Sequence, residues 1–119
     1  MDTKALGKAG EEAAANYLVQ QGCMVLTRNF RLRSGEIDLI AEEDGTIVFV
    51  EVKTRTTMRC GRPAAAVNYH KQQKIIRTAE FFLRQRHLSG RPCRFDVMEV
   101  FACDGQFRIN HLKGAFEVS

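Results

Sequence analysis

Acidic and basic side chains lie at the start of one apolar segment and at the end of another, where they could act together. Residues 36–42 read Glu-Ile-Asp-Leu-Ile-Ala-Glu, and residues 47–53 read Ile-Val-Phe-Val-Glu-Val-Lys. Two carboxylates, Asp38 and Glu51, could hold a divalent cation, and the ammonium group of Lys53 could stabilise an attacking water or a phosphate charge. The spacing, D-x(12)-E-x-K, therefore suits the hydrolysis of a phosphodiester.

A tight turn between the two segments determines which charges face each other. Asp-Gly at 44–45 between β-type segments is a strong hairpin signal. A two-residue and a four-residue turn give the same pairing, with Asp38 opposite Glu51 and Glu36 opposite Lys53. Directly opposed side chains have Cβ atoms about 4.5–5.5 Å apart. The sequence therefore predicts two carboxylates in close contact on the sheet.

Carboxylates this close repel each other, and burial increases the repulsion. Three arrangements can offset it. One acid can be protonated, as in a carboxylate dyad. Lys53 can neutralise the acids as a structural ion pair. A shared Mg²⁺ or Mn²⁺ can bind both acids and leave Lys53 for the phosphate, which explains the most residues.

Strand alternation assigns these side chains to faces. Glu51 and Lys53 share a face with Phe49, and Val48, Val50 and Val52 form the other face of a central strand that is covered on both sides. In the first strand, Ile37 is expected beside Leu39, on the face opposite Asp38.

Composition excludes several classes of protein. A chain of 119 residues with 45% hydrophobic and 27% charged residues is expected to form a single domain, residues 1–119. No segment approaches the roughly 18 apolar residues of a membrane helix. The first residues lack the apolar region of a signal peptide, so we expect a cytoplasmic protein without membrane partners. The four cysteines show no zinc-binding spacing.

Charge is distributed unevenly along the chain. Residues 1–52 carry a net charge of −4, residues 53–94 carry +10, and residues 95–119 carry −2. This favours an acidic site beside a surface that binds a polyanion. A solvated basic helix that binds nothing explains the charge equally well.

The periodicities predict two helices and five strands. Helices are expected over Thr3–Gln21, closed by Gly22, and over Ala66–Leu88 after a basic loop from Thr54. Gly7 and Gly10 weaken the first helix and suggest that another backbone approaches it closely. The expected strands are 23–26 with a separate piece at 30–32, 36–42, 47–53, 94–102 and 107–112. The fold class is α/β, a mixed sheet flanked by helices in the order α-β-β-β-α-β-β.

These motifs resemble a known group of proteins. The sequence is similar to the restriction-endonuclease-like, PD-(D/E)xK superfamily, and in detail to the YraN-like family of uncharacterised bacterial proteins, which itself resembles archaeal Holliday junction resolvases. The matching motifs are Gly7-x-x-Gly10-Glu11, Asn29-x-Arg31, Gly35-Glu36-Ile37-Asp38, Glu51-Val52-Lys53, Arg94-Phe95-Asp96-Val97, Ile109-Asn110-His111 and Ala115-Phe116. Ile37 stands where the broad signature of the superfamily has Pro. RecB-type members also carry a Gln-x-x-x-Tyr motif on the following helix, but here Gln72 and Gln73 are followed four residues on by Ile76 and Arg77.

The resemblance implies roles for particular residues. Asp38 and Glu51 match the metal-binding acids and Lys53 matches the catalytic lysine. Glu11 matches the acid on the first helix that completes the metal site, with Mg²⁺ or Mn²⁺ as cofactor. Glu36 is a motif residue that could contact the metal, the water or Lys53. Without the resemblance, Glu11 reads as a solvated helix residue.

Several functions remain open at this level. The first is a metal-dependent endonuclease acting on DNA, including branched intermediates, as a monomer or a homodimer. The alternatives are a non-catalytic nucleic-acid-binding module and a protein-interaction domain with a basic face. The residues expected to contact phosphates are Arg31, Arg33, Arg55, Lys71, Lys74 and Arg77.

Overall fold

The computed structural model describes residues 2–56 and 67–117. Within these ranges the elements follow the predicted order α-β-β-β-α-β-β, and an α/β fold is confirmed. None of the helices described is long and apolar enough to cross a membrane. The elements are α1 (Thr3–Gln20), β1 (Met24–Leu32), β2 (Gly35–Glu43), β3 (Thr46–Arg55), α2 (Tyr69–Gln85), β4 (Cys93–Cys103) and β5 (Gln106–Phe116).

The strands form one mixed sheet in the spatial order β1-β2-β3-β4-β5. β3 and β4 are parallel, and the other neighbouring pairs are antiparallel. α2 lies in the connection between the two parallel strands, where a crossover is needed. β3 is therefore the central strand, as its apolar segment predicts.

A helix covers each face of the sheet. α2 packs its buried residues against alternate residues of β2, β3 and β4, including Ile40, Phe49 and Val97. α1 packs Ala14, Ala15 and Leu18 against residues of the opposite parity, such as Val48 and Val50. The predicted apolar face of α2 is confirmed, since each of its members is buried: Ile75, Ile76, Ala79, Phe82 and Leu83.

β1 differs from its prediction. The sequence suggests two short pieces, but one strand runs from Met24 to Leu32. Its register against β2 shifts between Val25 and Thr27, and Asn29 has a φ of 53°. An extra residue in one strand can be accommodated as a bulge while pairing continues on both sides, so the irregular pattern does not end the strand.

The segment from β3 to α2 also differs. Arg55, expected in the loop, is the last residue of β3. Asn68 has an extended backbone and its side chain accepts a hydrogen bond from the Lys71 N–H (2.9 Å), so α2 begins at Tyr69 rather than at Ala66. The rest of the predicted basic loop, residues 57–66, lies outside the described residues.

Gly10 permits a close approach between α1 and β3. A Cβ at Gly10 would overlap Thr54 Oγ1 and lie 2.8 Å from Thr54 Cγ2. A Cβ at Gly7 would meet no atom of the described residues within 4 Å. A close approach therefore exists at Gly10, but it is made by the side chain of Thr54 and not by the backbone that the sequence suggested.

These two glycines form a matched pair for a stability test. Gly10→Ala is expected to lower the free energy of unfolding by about 1–3 kcal/mol, because a methyl group is forced into a filled space. Gly7→Ala is expected to raise it by up to about 1 kcal/mol through helix propensity. Urea denaturation measures both. Thr54→Ala should restore part of the loss at Gly10, and equal stability of the two single variants would contradict the close approach.

Candidate active site

The predicted register of the β2–β3 hairpin is confirmed, but the pairing ends before the acids. Pairs run from Glu43–Thr46 to Leu39–Val50. Beyond them β2 pairs with β1, where Glu36 lies opposite Arg31, and β3 continues beside β4, where Lys53 lies beside Glu99. The simple hairpin predicts that Asp38 pairs with Glu51 and Glu36 with Lys53. Neither pair belongs to the observed ladder. The strands part, and the acids lie at the parting.

The Asp38 carboxylate takes over one backbone hydrogen bond at the parting. Its Oδ2 accepts from the Val52 N–H at 2.7 Å. Strand alternation also breaks here, because Ile37 packs on the α2 side with Ile40, whereas Leu39 packs on the α1 side. The expectation that Ile37 shares a face with Leu39 is therefore wrong. The regular alternation of a strand does not hold where β2 leaves β3.

Asp38 and Glu51 line the same cavity, although they are not paired in the ladder. The cavity has a volume of about 260 Å³ and lies between the parted strands and α2. Both acids are buried, with 8% and 9% of their surfaces exposed. The lining residues are Gly35, Glu36, Asp38, Glu51, Lys71, Lys74 and Ile75. The structure thus brings both predicted sheet acids, and Glu36, to one opening.

Two lysines converge on one oxygen of Glu51. Glu51 Oε1 lies 2.6 Å from Lys71 Nζ and 3.5 Å from Lys53 Nζ. Burial and the neighbouring Lys71 lower the pKa of Lys53. Burial also opposes the charge of Lys71, but its hydrogen bonds and the nearby carboxylates outweigh burial and raise its pKa. Lys53 therefore lies beside Glu51, and Lys71 lies even closer to it.

Within the described part of the chain, the charge of Asp38 is not neutralised by an ion pair in the way that the charge of Glu51 is. Among the ion pairs that the described residues form, none includes Asp38. Burial raises its pKa to about 7, the charge of Glu51 adds to this effect, and the hydrogen bond from Val52 opposes it. At neutral pH this carboxyl group is close to half protonated. A bound cation would favour its ionised form.

A second buried aspartate shows what full compensation looks like. Asp96 accepts two hydrogen bonds from Arg94 and one from the Gly114 N–H (3.0 Å), and His111 Nε2 lies 2.7 Å from its Oδ2. Burial favours the neutral acid, but these partners outweigh burial and hold the pKa of Asp96 below its ordinary value. Asp96 is therefore a satisfied structural residue, and Asp38 is the buried aspartate with room for a further partner.

Glu11 lies near the acidic pair but not in the same cavity. It lines a separate depression with Lys8, Glu12, Arg28 and Asn29. Burial and the charge of Glu36 raise its pKa, with a smaller contribution from Glu51. Within residues 2–56 and 67–117, no three His, Cys, Asp or Glu side chains are grouped closely enough to hold a metal ion. Asp38 and Glu51 thus share one cavity, and Glu11, the third acid that the resemblance implies, lies nearby but outside it.

A two-carboxylate site fits the chemistry of Mg²⁺ or Mn²⁺. Mg²⁺ keeps several waters in proteins and takes one or two carboxylates together with substrate phosphates. Asp38 and Glu51 supply these oxygens, and burial together with the charge of Glu51 raises the pKa of Asp38, an effect that a cation bound beside it would offset. The residues present therefore fit a divalent cation that also binds water and phosphate.

The predicted phosphate-binding residues fall into two groups. Arg31 pairs with Glu36 (3.2 Å), Arg55 pairs with the buried Glu99 (2.8 Å), and Lys71 pairs with Glu51, so acids of the protein hold these three. The other three have exposed positions, on α2 or just after β1, and Lys74 also lines the cavity. This second group is Arg33, Lys74 and Arg77, and Arg31 in the first group is exposed as well.

Glu99 is a residue that the sequence reasoning missed. It is 1% exposed on β4, beside Lys53 in the parallel register, and its carboxylate holds Arg55. The signal was a glutamate inside the apolar segment 95–102, which a buried strand tolerates only with a partner. Its partner lies 44 residues earlier in the chain, so the pairing could not be read locally.

The fold and the site together define an α/β domain with a buried acidic pair and two lysines at the parting of its central strands. The model of the Uncharacterised protein family UPF0102 matches residues 10–100, and the chain belongs to this family. This confirms the membership expected from the resemblance to YraN-like proteins.

Relatives of similar length come from several bacteria. A UPF0102 protein of Clostridioides difficile is 42% identical over 116 residues, covering 98% of this chain and 100% of that protein. One from Symbiobacterium thermophilum is 46% identical (96% and 98% covered), and one from Caldicellulosiruptor bescii is 47% identical (98% and 100% covered). The solved structure of Pyrococcus furiosus SfsA in complex with Ca²⁺ aligns with a TM-score of 0.40 at 15% identity, over 98% of this chain and 66% of that one.

The raised pKa of Asp38 predicts an unusual pH dependence of stability. The unfolded state releases the proton near the ordinary value of 3.8, and the folded state releases it near 7. Between these values the unfolded state binds fewer protons, so the free energy of unfolding contributed by Asp38 falls as pH rises. In metal-free buffer, Asp38→Asn should therefore gain stability over the wild type, by about 3–4 kcal/mol between pH 4 and pH 8.

Urea denaturation across this pH range tests the prediction. Asn keeps an acceptor for the Val52 N–H, so the variant preserves the hydrogen bond and removes the charge. Asp104→Asn, in the exposed β4–β5 turn, is the matched control and should follow the wild type. A constant stability difference between wild type and Asp38→Asn at all pH values would contradict the raised pKa.

Proposed function

We propose that this protein is a divalent-metal-dependent endonuclease that hydrolyses phosphodiester bonds of DNA, including branched intermediates. The observation that carries the proposal is the buried pair of Asp38 and Glu51 in one cavity, with Lys53 beside Glu51. Two acids so placed, one with its pKa raised to about 7, are costly unless they serve a cation. Perturbed carboxylates in a concave site are typical of functional sites.

Each residue has a role in the proposed reaction. Asp38 and Glu51 would hold Mg²⁺ or Mn²⁺, which supplies positive charge to the phosphate and lowers the pKa of a bound water. A water oxygen forms a bond to phosphorus as the bond to the leaving oxygen breaks, and the proton of the water passes to solvent. Lys53, close to Glu51, stabilises the phosphate charge, and its lowered pKa suits it to supply the proton that the leaving oxygen takes up.

The exposed basic residues would position the substrate. Arg33, Lys74 and Arg77 lie exposed on or beside the elements that border the cavity. Lysine and arginine contacts to phosphates fix orientation without reading base sequence. The resemblance to Holliday junction resolvases favours branched DNA as substrate. A homodimer would supply the two sites that symmetric cutting of a junction needs.

One observation favours a second candidate function, a nucleic-acid-binding module without catalysis. Glu51 is already neutralised by Lys53 and Lys71, so the protein balances half of the acidic pair internally. A module of this kind would bind nucleic acid in a salt-sensitive manner and would not cut it in any metal.

A nuclease panel tests the two candidates against each other. The substrates are four-way junctions, forks, flaps, single strands and duplexes, in DNA and in RNA, with Mg²⁺, Mn²⁺ or EDTA. The wild type is expected to cut branched DNA in Mg²⁺ or Mn²⁺ and not in EDTA. Asp38→Asn and Lys53→Met should each lose at least about 100-fold in rate, and Asp104→Asn should retain the wild-type rate. Metal-independent cutting, or equal rates in Asp38→Asn and wild type, would reject the proposal.

Binding without cleavage is measured separately, in EDTA. Neutralising Arg33, Lys74 and Arg77 with glutamine should weaken DNA binding and reduce the salt dependence, by about 0.7–0.9 in the log–log slope for each phosphate that is no longer neutralised. Each of the three single glutamine variants is also compared with the control Arg108→Gln, which likewise removes one exposed charge, on the edge strand β5. Equal salt slopes for the triple variant and the control would place the nucleic-acid surface elsewhere.

A further inference from the structure

Lys71 forms an ion pair with the carboxylate of Glu51, which a bound cation would also use. Its Nζ lies 2.6 Å from Glu51 Oε1, closer than the 3.5 Å of Lys53. The Lys71 side chain remains 40% exposed, whereas that of Lys53 is 26% exposed. A long, half-exposed side chain can turn toward solvent without disturbing the core. Of the two lysines, Lys71 is therefore the one that can leave Glu51 more easily.

The backbone of Lys71 is held in place by hydrogen bonds at the start of α2. The Asn68 side chain accepts from the Lys71 N–H at 2.9 Å, and Gln72 Nε2 donates to the Val67 carbonyl at 2.9 Å. The first turn of α2 is thus anchored at the mouth of the cavity. Helix dipoles disfavour a cation in the first turn, and no acidic residue stands in the first turn of α2. Glu51 is the anion that offsets this cost.

A metal ion and Lys71 would compete for the same carboxylate, that of Glu51. A cation bound by Asp38 and Glu51 needs lone pairs of Glu51, and one oxygen of Glu51 already receives two ammonium groups. Two positive charges on one buried carboxylate repel each other strongly in a poorly solvated site. Lys74 offers a comparison, since it lines the same cavity one turn further along α2, and the bonds of Glu51 go to Lys53 and Lys71.

We propose that Lys71 is a displaceable counter-ion. In the metal-free protein it neutralises Glu51. When a divalent cation binds to Asp38 and Glu51, Lys71 leaves Glu51 and contacts the phosphate of the bound nucleic acid. The second half of this exchange rests on the proposed function. Metal and nucleic acid then strengthen each other's binding, because each stabilises the state in which Lys71 has left Glu51.

Direct measurement of Mn²⁺ binding without nucleic acid tests the first half. Lys71→Met and Lys74→Met each remove one positive charge from the cavity lining, so long-range electrostatics are matched. By calorimetry or electron paramagnetic resonance, Lys71→Met is expected to bind Mn²⁺ at least about tenfold more tightly than Lys74→Met, the scale of a typical coupling. Equal affinities of the two variants would overturn the proposal. So would a lack of Mn²⁺ binding in wild type and both variants.

A measurement on the wild-type protein covers the case in which Lys71→Met does not fold. Lysines carrying ¹³C-methyl groups from reductive methylation are followed by NMR during a Mg²⁺ titration. The Lys71 signal is expected to move to the position of a solvated lysine, and the Lys74 signal should stay near its starting position. A Lys71 signal unchanged at saturating Mg²⁺ would overturn the proposal.

The second half is tested with a short single-stranded DNA, and the two proposals fail separately. The DNA should tighten Mn²⁺ binding in the wild type, and this coupling should shrink at least about fivefold in Lys71→Met. Coupling of equal size in both would overturn the exchange with phosphate. If Lys71→Met binds Mn²⁺ more tightly but the wild type cuts none of the substrates, the nuclease proposal fails and the counter-ion remains. If the wild type cuts and both variants bind Mn²⁺ equally, the counter-ion proposal fails and the nuclease proposal remains.

Discussion

Asp38 and Glu51 are buried together at the place where two paired strands separate. Their mutual repulsion is the constraint to which the surrounding hydrogen bonds and charges are related. The ladder between β2 and β3 stops at Leu39–Val50, and the Asp38 carboxylate replaces one missing ladder bond by accepting from the Val52 N–H. Burial and the neighbouring carboxylate together raise the pKa of Asp38 to about 7. Lys53 and Lys71 neutralise Glu51, whereas no ion pair of the described residues includes Asp38, and the proposed cation site rests on this asymmetry.

The two helices approach the acidic pair from opposite faces of the sheet. α1 approaches closely enough at Gly10 to touch Thr54, which places Glu11 near the acidic pair from one side. α2 begins at the mouth of the cavity and directs Lys71 to Glu51 from the other. Asp96 shows that the same fold satisfies a buried carboxylate fully where its role is structural. The contrast between the two aspartates separates the site from the core more clearly than burial does.

Local patterns predicted much of the fold because they depend on neighbouring residues. The order of elements, the apolar face of α2 and the hairpin register follow from periodicity and from the Asp-Gly turn. The continuity of β1 and the start of α2 could not be predicted as well. The first depends on a bulge against β2, and the second depends on which of several polar residues before α2 forms the cap. The role of Glu99 was hidden because its partner Arg55 is distant in the chain.

The sequence by itself determined the chemical inventory: two acids and a lysine at the ends of adjacent strands, in a chain whose second half is basic. Turn chemistry and strand alternation also determined that these residues come near one another. Tertiary structure decided the rest. The parting of β2 and β3 turned a predicted cross-strand pair into a shared cavity, and the packing of α2 brought Lys71 to Glu51. Such contacts depend on how a helix docks on a sheet, and docking is fixed by the whole core, so no local pattern contains them.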